Sequence, residues 1–414
     1  MPTFSEALRF WLKLGFISFG GPSGQVAIMQ HELVDQRRWI GQDAFLQALN
    51  FCMLLPGPEA QQLATYIGWK LHGLKGGLAA GILFVLPGAF VLYGLAWIAA
   101  KHGDMAVVNA VFSGLKPVVV AIVIHALWRV ARRILTTAKA TILAVAAFAA
   151  LEVFHVPFPL IVLGAGVIGW LTSRKNIIEN ETATAETFDT PRRISARVLR
   201  MILIYAGLLI VPVGTVIAFT GPEPFLAIAR FFTQAAFVTF GGAYAVLPYV
   251  AEAAVNHFHW LSPDEMINGL ALAETTPGPL ILVLQYVGFF AGWNANSGMS
   301  PLTAATIGAV ITTYATFLPS IFFILTGAPY IERIARIKGA AGALAAITAA
   351  VVGVIATLAV FFAREVVFKQ SAAIDYAAVC VIVVALGVLI RFKLSLHWVV
   401  LAGALYGLAC MALA

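Results

Sequence analysis

Phe16-Ile17-Ser18-Phe19-Gly20-Gly21 returns as Phe237-Val238-Thr239-Phe240-Gly241-Gly242, and Pro56-Gly57-Pro58 returns as Pro277-Gly278-Pro279. Both pairs are displaced by 221 residues. Arg9 with Arg230, Phe10 with Phe231, Trp39 with Trp260 and Asp43 with Asp264 keep that register. Further on the register moves slightly: Tyr66-Ile67-Gly68 matches Tyr286-Val287-Gly288, and Leu86-Pro87 matches Leu318-Pro319. One match between apolar segments could arise by chance, but an ordered series of them could not, so the chain reads as two homologous halves. Residues 1–173 form the first and 221–414 the second. Between them, Ser173 to Arg200 is the clearly polar stretch, with Glu179, Glu181, Glu186, Asp189, Arg192, Arg193 and Arg197. It reads as a cytoplasmic linker, completed to residue 220 by an apolar connecting helix.

The 414 residues are 61% hydrophobic and 11% charged. Soluble domains carry about 25% charged residues, so this is a polytopic membrane protein, neither a soluble enzyme nor a disordered chain. Lys and Arg number 26 against 19 Asp and Glu. A nucleic-acid partner does not follow, because the charges flank apolar segments as the cytoplasmic excess of Lys and Arg at helix ends does. Cys52, Cys380 and Cys410 lie in apolar runs without CxxC spacing and read as core residues, with no metal or disulfide. The N-terminal segment is basic and amphipathic and lacks the small-residue pattern of a cleavable signal.

Apolar stretches long enough to span fall near 74–100, 104–128, 137–154, 157–173, 199–219, 302–326, 339–363, 373–391 and 395–413. Basic loops sort their direction: Arg129, Arg132, Arg133 and Lys139; the 174–200 linker; Arg333, Arg336 and Lys338; and Arg391 with Lys393 all read as inside. The N-terminus is then cytoplasmic, the C-terminus periplasmic, and the halves inverted, as in many secondary transporters. Residues 4–18 with 22–35, and 43–55 with 58–71, are short pairs around the glycine motifs. Each segment covers about 20 Å at helical rise, short of the ~30 Å hydrocarbon core. They read as re-entrant or broken hairpins, or else as four full spans, giving about nine or thirteen crossings by the same length argument. The fold class is thus all-α, integral to the membrane, in two inverted repeats with broken helices near the midplane.

Broken helices in a membrane can do chemistry. A hairpin tip leaves backbone N–H groups unpaired at the start of the next segment, and a helix N-terminus carries partial positive charge. Gly20, Gly21, Gly57, Gly241, Gly242 and Gly278 permit the tight turns, and Pro22, Pro58 and Pro279 suit a first helical turn. Up to four N-termini would converge on an anion site. Ser23, Gly24, Gln61 and Thr276 add donors beside them. Lys116, Arg9 and Arg230 are candidate countercharges, since charges inside a membrane rarely persist without function. All three could instead snorkel to the interface, Arg9 more readily than Lys116. Glu59 and Glu274 flank the two PGP motifs and are candidate proton carriers, because desolvation favours a protonated carboxyl; capping a helix start is the other reading for both. Tyr66 and Tyr286 read as packing residues, and Trp39 and Trp260 as interface anchors.

The segments FGGPSGQVAIMQ, LNFCMLLPGPEAQQLATYIGW, LFVLPG and GLKPVVVAI, with the second-half FGGAYAVLPY, TTPGP and ATFLPS, strongly resemble the chromate ion transporter family in its long two-domain form. The resemblance covers essentially the whole chain. It implies chromate efflux across the bacterial inner membrane, giving chromate resistance, with sulfate as the competing tetrahedral dianion and proton-coupled antiport as the usual drive. The residues agree with that implication, since an oxyanion wants N–H groups, hydroxyls and cations. No phosphate-binding loop of the GxxxxGK type is present, which argues against ATP-driven pumping. The alternatives are a sulfate-type carrier, an anion channel of similar architecture, and an intramembrane enzyme. The last would need a nucleophile–base pair or metal cluster, and the eight scattered histidines form no HExxH. No cofactor is expected; the partners are the oxyanion, the lipid bilayer and, possible on this architecture, a second copy in a homodimer.

Overall fold

The computed structural model describes residues 2–19, 21–175, 191–328, 339–368, 373–392 and 394–413. Gly20, linker positions 176–190, and the basic residues Arg333, Arg336, Lys338 and Lys393 lie outside them. Among the described residues the structure is helices joined by loops, with one isolated bridge between Phe368 and Ile374.

The first glycine motif separates α1 (Phe4–Ile17) from α2 (Gly21–Gln30), which a π turn continues through His31–Gln36. Pro56-Gly57-Pro58 separates α3 (Gln42–Met53) from α4 (Glu59–His102). The backbone leaves the helix at His72 and Gly73, so α4 is a short arm followed by a long helix, as the segment boundary near residue 71 anticipates. α5 (Ala106–Ile134), α6 (Ala138–Glu152) and α7 (Phe158–Lys175) complete the first half, and α8 (Pro191–Thr220) leads to the second.

There the order returns: α9 (Phe225–Val238), α10 (Ala243–Glu252) with its own π turn Ala253–His257, and α11 (Pro263–Thr275). A 3-10 turn, Leu280–Leu282, then runs into α12 (Val283–Trp293), the counterpart of the short arm of α4. α13 (Pro301–Gly327), α14 (Ala340–Val367), α15 (Tyr376–Arg391) and α16 (Leu396–Leu413) follow. Even irregular backbone is repeated: Arg38 and His259, 221 residues apart, both have φ of 53°.

Capping explains several starts. Ser262 and Glu265 form a reciprocal capping box on α11, and Ser300, Thr137 and Asp375 accept first-turn amides of α13, α6 and α15. All nine apolar stretches contain a helix. Six described helices are long and apolar enough to cross a bilayer: Glu59–His102, Ala106–Ile134, Leu199–Thr220, Pro301–Gly327, Ala341–Val367 and Leu396–Leu413. α6, α7 and α15 are shorter.

The halves interlace. α1 packs on α4 and α9 on α13, each within its half, while α6 and α7 pack on α14, and α15 and α16 on α5. Small residues allow this close approach. A Cβ on Gly407 would lie 2.0 Å from the Ala110 carbonyl, and one on Gly169 would lie 2.2 Å from the Gly342 carbonyl. Ala110 and Gly342 are 232 apart, the register of Leu86 and Leu318, so one crossing is built twice. Two expectations need correction. Cys52 is buried, but Cys380 and Cys410 are exposed on outward faces of α15 and α16, where an apolar thiol needs no protein cover. Trp260 is no interface anchor: it is buried and stacked on Phe258, with ring centroids 4.3 Å apart.

Candidate oxyanion site

The glycine loops of the two halves lock together. The Gly57 N–H donates to the Thr239 carbonyl at 2.7 Å, and the Gly278 N–H donates to the Ser18 carbonyl at 2.8 Å. Ser18 and Thr239 are repeat counterparts, as are Gly57 and Gly278. Each PGP tip is therefore pinned to the FGG loop of the other half. Gly57 has φ of +125°, and a Cβ there would fall 2.0 Å from Ser320 Oγ, so both backbone angle and space require glycine. Gly278 has φ of +92° and packs against Gly88.

Side chains reinforce the lock unequally. Buried Gln25 donates to the Gly278 carbonyl at 2.6 Å, and Gln62 donates to the Pro56 carbonyl at 2.7 Å. Their counterparts, Val246 and Val283, are buried apolar residues. Gln61 donates to Thr65 Oγ1 at 3.2 Å, and that hydroxyl donates back to the Gln61 carbonyl at 2.9 Å.

The lock brings the starts of α2 and α10 together: a Cβ on Gly242 would lie 3.8 Å from Pro22 Cγ. Gly241 faces Thr348 and Val351 of α14 at 3.8 Å by the same measure. Two ten-residue helices thus begin close to one another, that of α10 buried and that of α2 partly exposed, and their first-turn amides have no carbonyl four residues back. Such a pair of N-termini suits an anion.

Carboxyls and cations stand beside this point. Glu274, 7% exposed at the end of α11, accepts a hydrogen bond from the buried Tyr244 hydroxyl on the first turn of α10. Arg129 of α5 lies within electrostatic reach of both. Glu59 opens α4, half-buried, within reach of Arg133. His125, Arg129 and Arg133 follow at four-residue spacing on one face of α5.

Other sequence candidates sit elsewhere. Lys116 Nζ is 2.7 Å from Asp264 Oδ1 at the start of α11. α5 and α11 run side by side from that pair to Arg129 and Glu274, and the intervening thirteen residues put Lys116 about 20 Å from the PGP end. Arg9 and Arg230 both project from exposed faces of α1 and α9. Ser23 is exposed, Gly24 backs onto the Phe19 carbonyl, and Thr276 is buried with its hydroxyl donating to Leu272. Gly21 has φ of +72°. Tyr286 packs, buried and stacked on Phe290 at 4.6 Å.

The sequence reading differs from the structure in two respects. The Gly57 and Gly278 amides are not free for a ligand, because they hold the opposite loop. Gln25, Tyr244, Arg129 and Arg133 belong to the neighbourhood of the loops and are not among the sequence candidates. Arg129 and Arg133 carry a sequence signal, the i, i+4 spacing with His125, in addition to their place in an inside loop. Among the described residues no cluster of three or more His, Cys, Asp or Glu could hold a metal.

Comparison with known proteins bears on this arrangement. The family model described as Chromate transporter matches residues 5–170 and again 226–408. The chain is 29% identical over 338 residues to the chromate transport protein of Pseudomonas aeruginosa, covering 81% of this chain and 75% of that one. It is 25% identical over 409 residues to the chromate transport protein of Cupriavidus metallidurans, covering 98% and 93%. It is 26% identical over 328 residues to a probable chromate transport protein of Synechococcus elongatus, covering 79% and 76%. No solved structure matches. With both glycine-motif halves falling inside the matched segments, the chain is a member of the chromate transporter family.

Proposed function

We propose that this protein is a secondary transporter that exports chromate, a tetrahedral dianion, from the cytoplasm and so confers chromate resistance. The observation that carries this reading is the interlocked pair of glycine loops, which brings the starts of α2 and α10 close together, with Arg129 within electrostatic reach of Tyr244 and Glu274. A dianion bound there gains helix-dipole stabilisation and a guanidinium in a low-dielectric interior. The names of the relatives support chromate as cargo.

The halves are read as inverted repeats in the bacterial inner membrane, with the N-terminus cytoplasmic and the C-terminus periplasmic, and the glycine loops as re-entrant tips near the midplane. Residues 1–173 and 221–414 are then the two repeats and 174–220 the connector. The proton carrier is Glu274, whose Tyr244 hydrogen bond and burial give its carboxyl a protonated and an ionised form of different fit to an adjacent dianion. Glu59, with Arg133 in reach, is the second candidate at the other PGP loop, although it is not the repeat counterpart of Glu274. Lys116 with Asp264 acts as a strut between α5 and α11 rather than as a countercharge.

Cells expressing the chain test the reading. They should accumulate several-fold less radiolabelled chromate than cells carrying an empty vector, and excess sulfate should change that difference little. Equal accumulation would reject export, and abolition of the difference by sulfate would move the assignment to a sulfate-type carrier.

A further inference from the structure

The central loops leave unused a cleft of about 1000 Å³ between the end of α10, the α6–α7 loop and the end of α14. Its charged groups are Glu152, Glu252, Arg364 and Glu365, with His155 and His257 on the wall. Glu152 takes up Arg364 at 2.7 Å. Among the described residues Glu252 accepts from neutral Asn256, at 2.7 Å, and Glu252 and Glu365 leave the described lining of the mouth net negative; Lys369 lies outside the described residues.

The residues at the repeat-equivalent positions of the first half carry the opposite sign. In the 221 register Glu252 stands where that half has His31, Gln234 where it has Lys13, and Phe258 where it has Arg37. In the 232 register of α5 and α14, Glu365 replaces Arg133, Phe361 replaces Arg129 and Thr357 replaces His125. Geometry supports the correspondence. Arg37 lies over the rings of Phe10 at 5.0 Å and Trp39 at 5.1 Å, while Phe258 lies against their counterparts, Phe231 at 5.5 Å and Trp260 at 4.3 Å. Three acidic residues run the other way, Glu6 opposite Ala227, Glu32 opposite Ala253 and Asp35 opposite Asn256, and Glu6 lies 3.9 Å from Arg37. Glu32 is held by Arg37 at 3.2 Å and Lys13 at 3.6 Å, and Asp35 faces His31 at 3.6 Å.

We propose that Glu252 and Glu365 weaken oxyanion binding at the α10–α14 mouth, making it a low-affinity release face, in contrast to the basic residues at the repeat-equivalent positions of the first half. The inference rests on the oxyanion reading above. A dianion feels each fixed charge twice over, and clefts lined by one sign focus the field, raising or lowering local ion concentration by tenfold or more. Membrane orientation accounts for the Lys and Arg of the inner face, but acidic residues contribute little to orientation, so Glu252 and Glu365 call for a separate reason.

Chromate entry is measured in vesicles of both orientations for the wild type and for Glu252→Gln/Glu365→Gln. Both side chains are exposed, so the variant keeps its fold. The apparent KM at the α10–α14 face should fall several-fold, the KM at the other face should stay constant, and about 0.5 M salt should erase the difference by screening. Glu365→Arg, which copies the first-half residue, should lower that KM further. An unchanged KM at the α10–α14 face, or an equal change at both faces, overturns the inference alone. Absence of wild-type chromate entry from either side overturns the oxyanion reading as well.

Discussion

The amide of Gly57 and the carbonyl of Thr239 are 2.7 Å apart, and the same bond recurs at 2.8 Å between Gly278 and Ser18. Residues far apart in sequence, in separate halves, thus hold the molecule at its centre through main-chain atoms. Such a bond ties the position of one helix start to that of the other, and it depends on the space and backbone angles that glycine provides.

Gly57→Ala should therefore lose most transport. The added Cβ meets Ser320 Oγ and the backbone keeps a positive φ, a strain of about 1–3 kcal/mol. Ser320→Ala alone should retain transport. Chromate flux beside thermal stability in detergent checks this; wild-type flux in Gly57→Ala would show that the lock is dispensable.

Glu274→Gln keeps a group able to accept from Tyr244 and removes the titratable proton. The variant should still exchange chromate for chromate across vesicles at equilibrium. Its net export should no longer respond to an imposed pH gradient, whereas the wild type should accelerate several-fold. A preserved response would assign the proton to another group.

Arg129→Gln should raise the KM for chromate by about tenfold, the worth of about 1.4 kcal/mol for one charge-assisted contact, with protein level unchanged. An unaltered KM would remove Arg129 from the oxyanion's surroundings.

Lys116 and Asp264 should behave as a pair. Lys116→Asp and Asp264→Lys should each lower thermal stability, and the double exchange should restore most of it. Additive losses would show that the 2.7 Å contact contributes nothing of its own.

Much of this architecture was legible because it is written twice. The matched FGG and PGP motifs located the helix breaks between α1 and α2 and between α3 and α4 to within a few residues. The apolar runs located the long helices. The partnering of the loops was not legible. Nothing in a sequence says that the Gly57 amide faces Thr239, since main-chain bonds between distant segments leave no residue-type signature. Lys116 illustrates the same limit: its burial cost was visible in the run 104–128, but its partner lies on another helix. Gln25 and Tyr244 looked ordinary because their counterparts are Val246 and Ser23, and a repeat search rewards identity rather than difference.

The most direct test of the central claim uses purified protein in liposomes with an imposed pH gradient, following the movement of radiolabelled chromate. The account predicts saturable flux that rises with the gradient and is lost in Gly57→Ala. Flux that neither saturates nor responds to the gradient would contradict it and make the protein a channel.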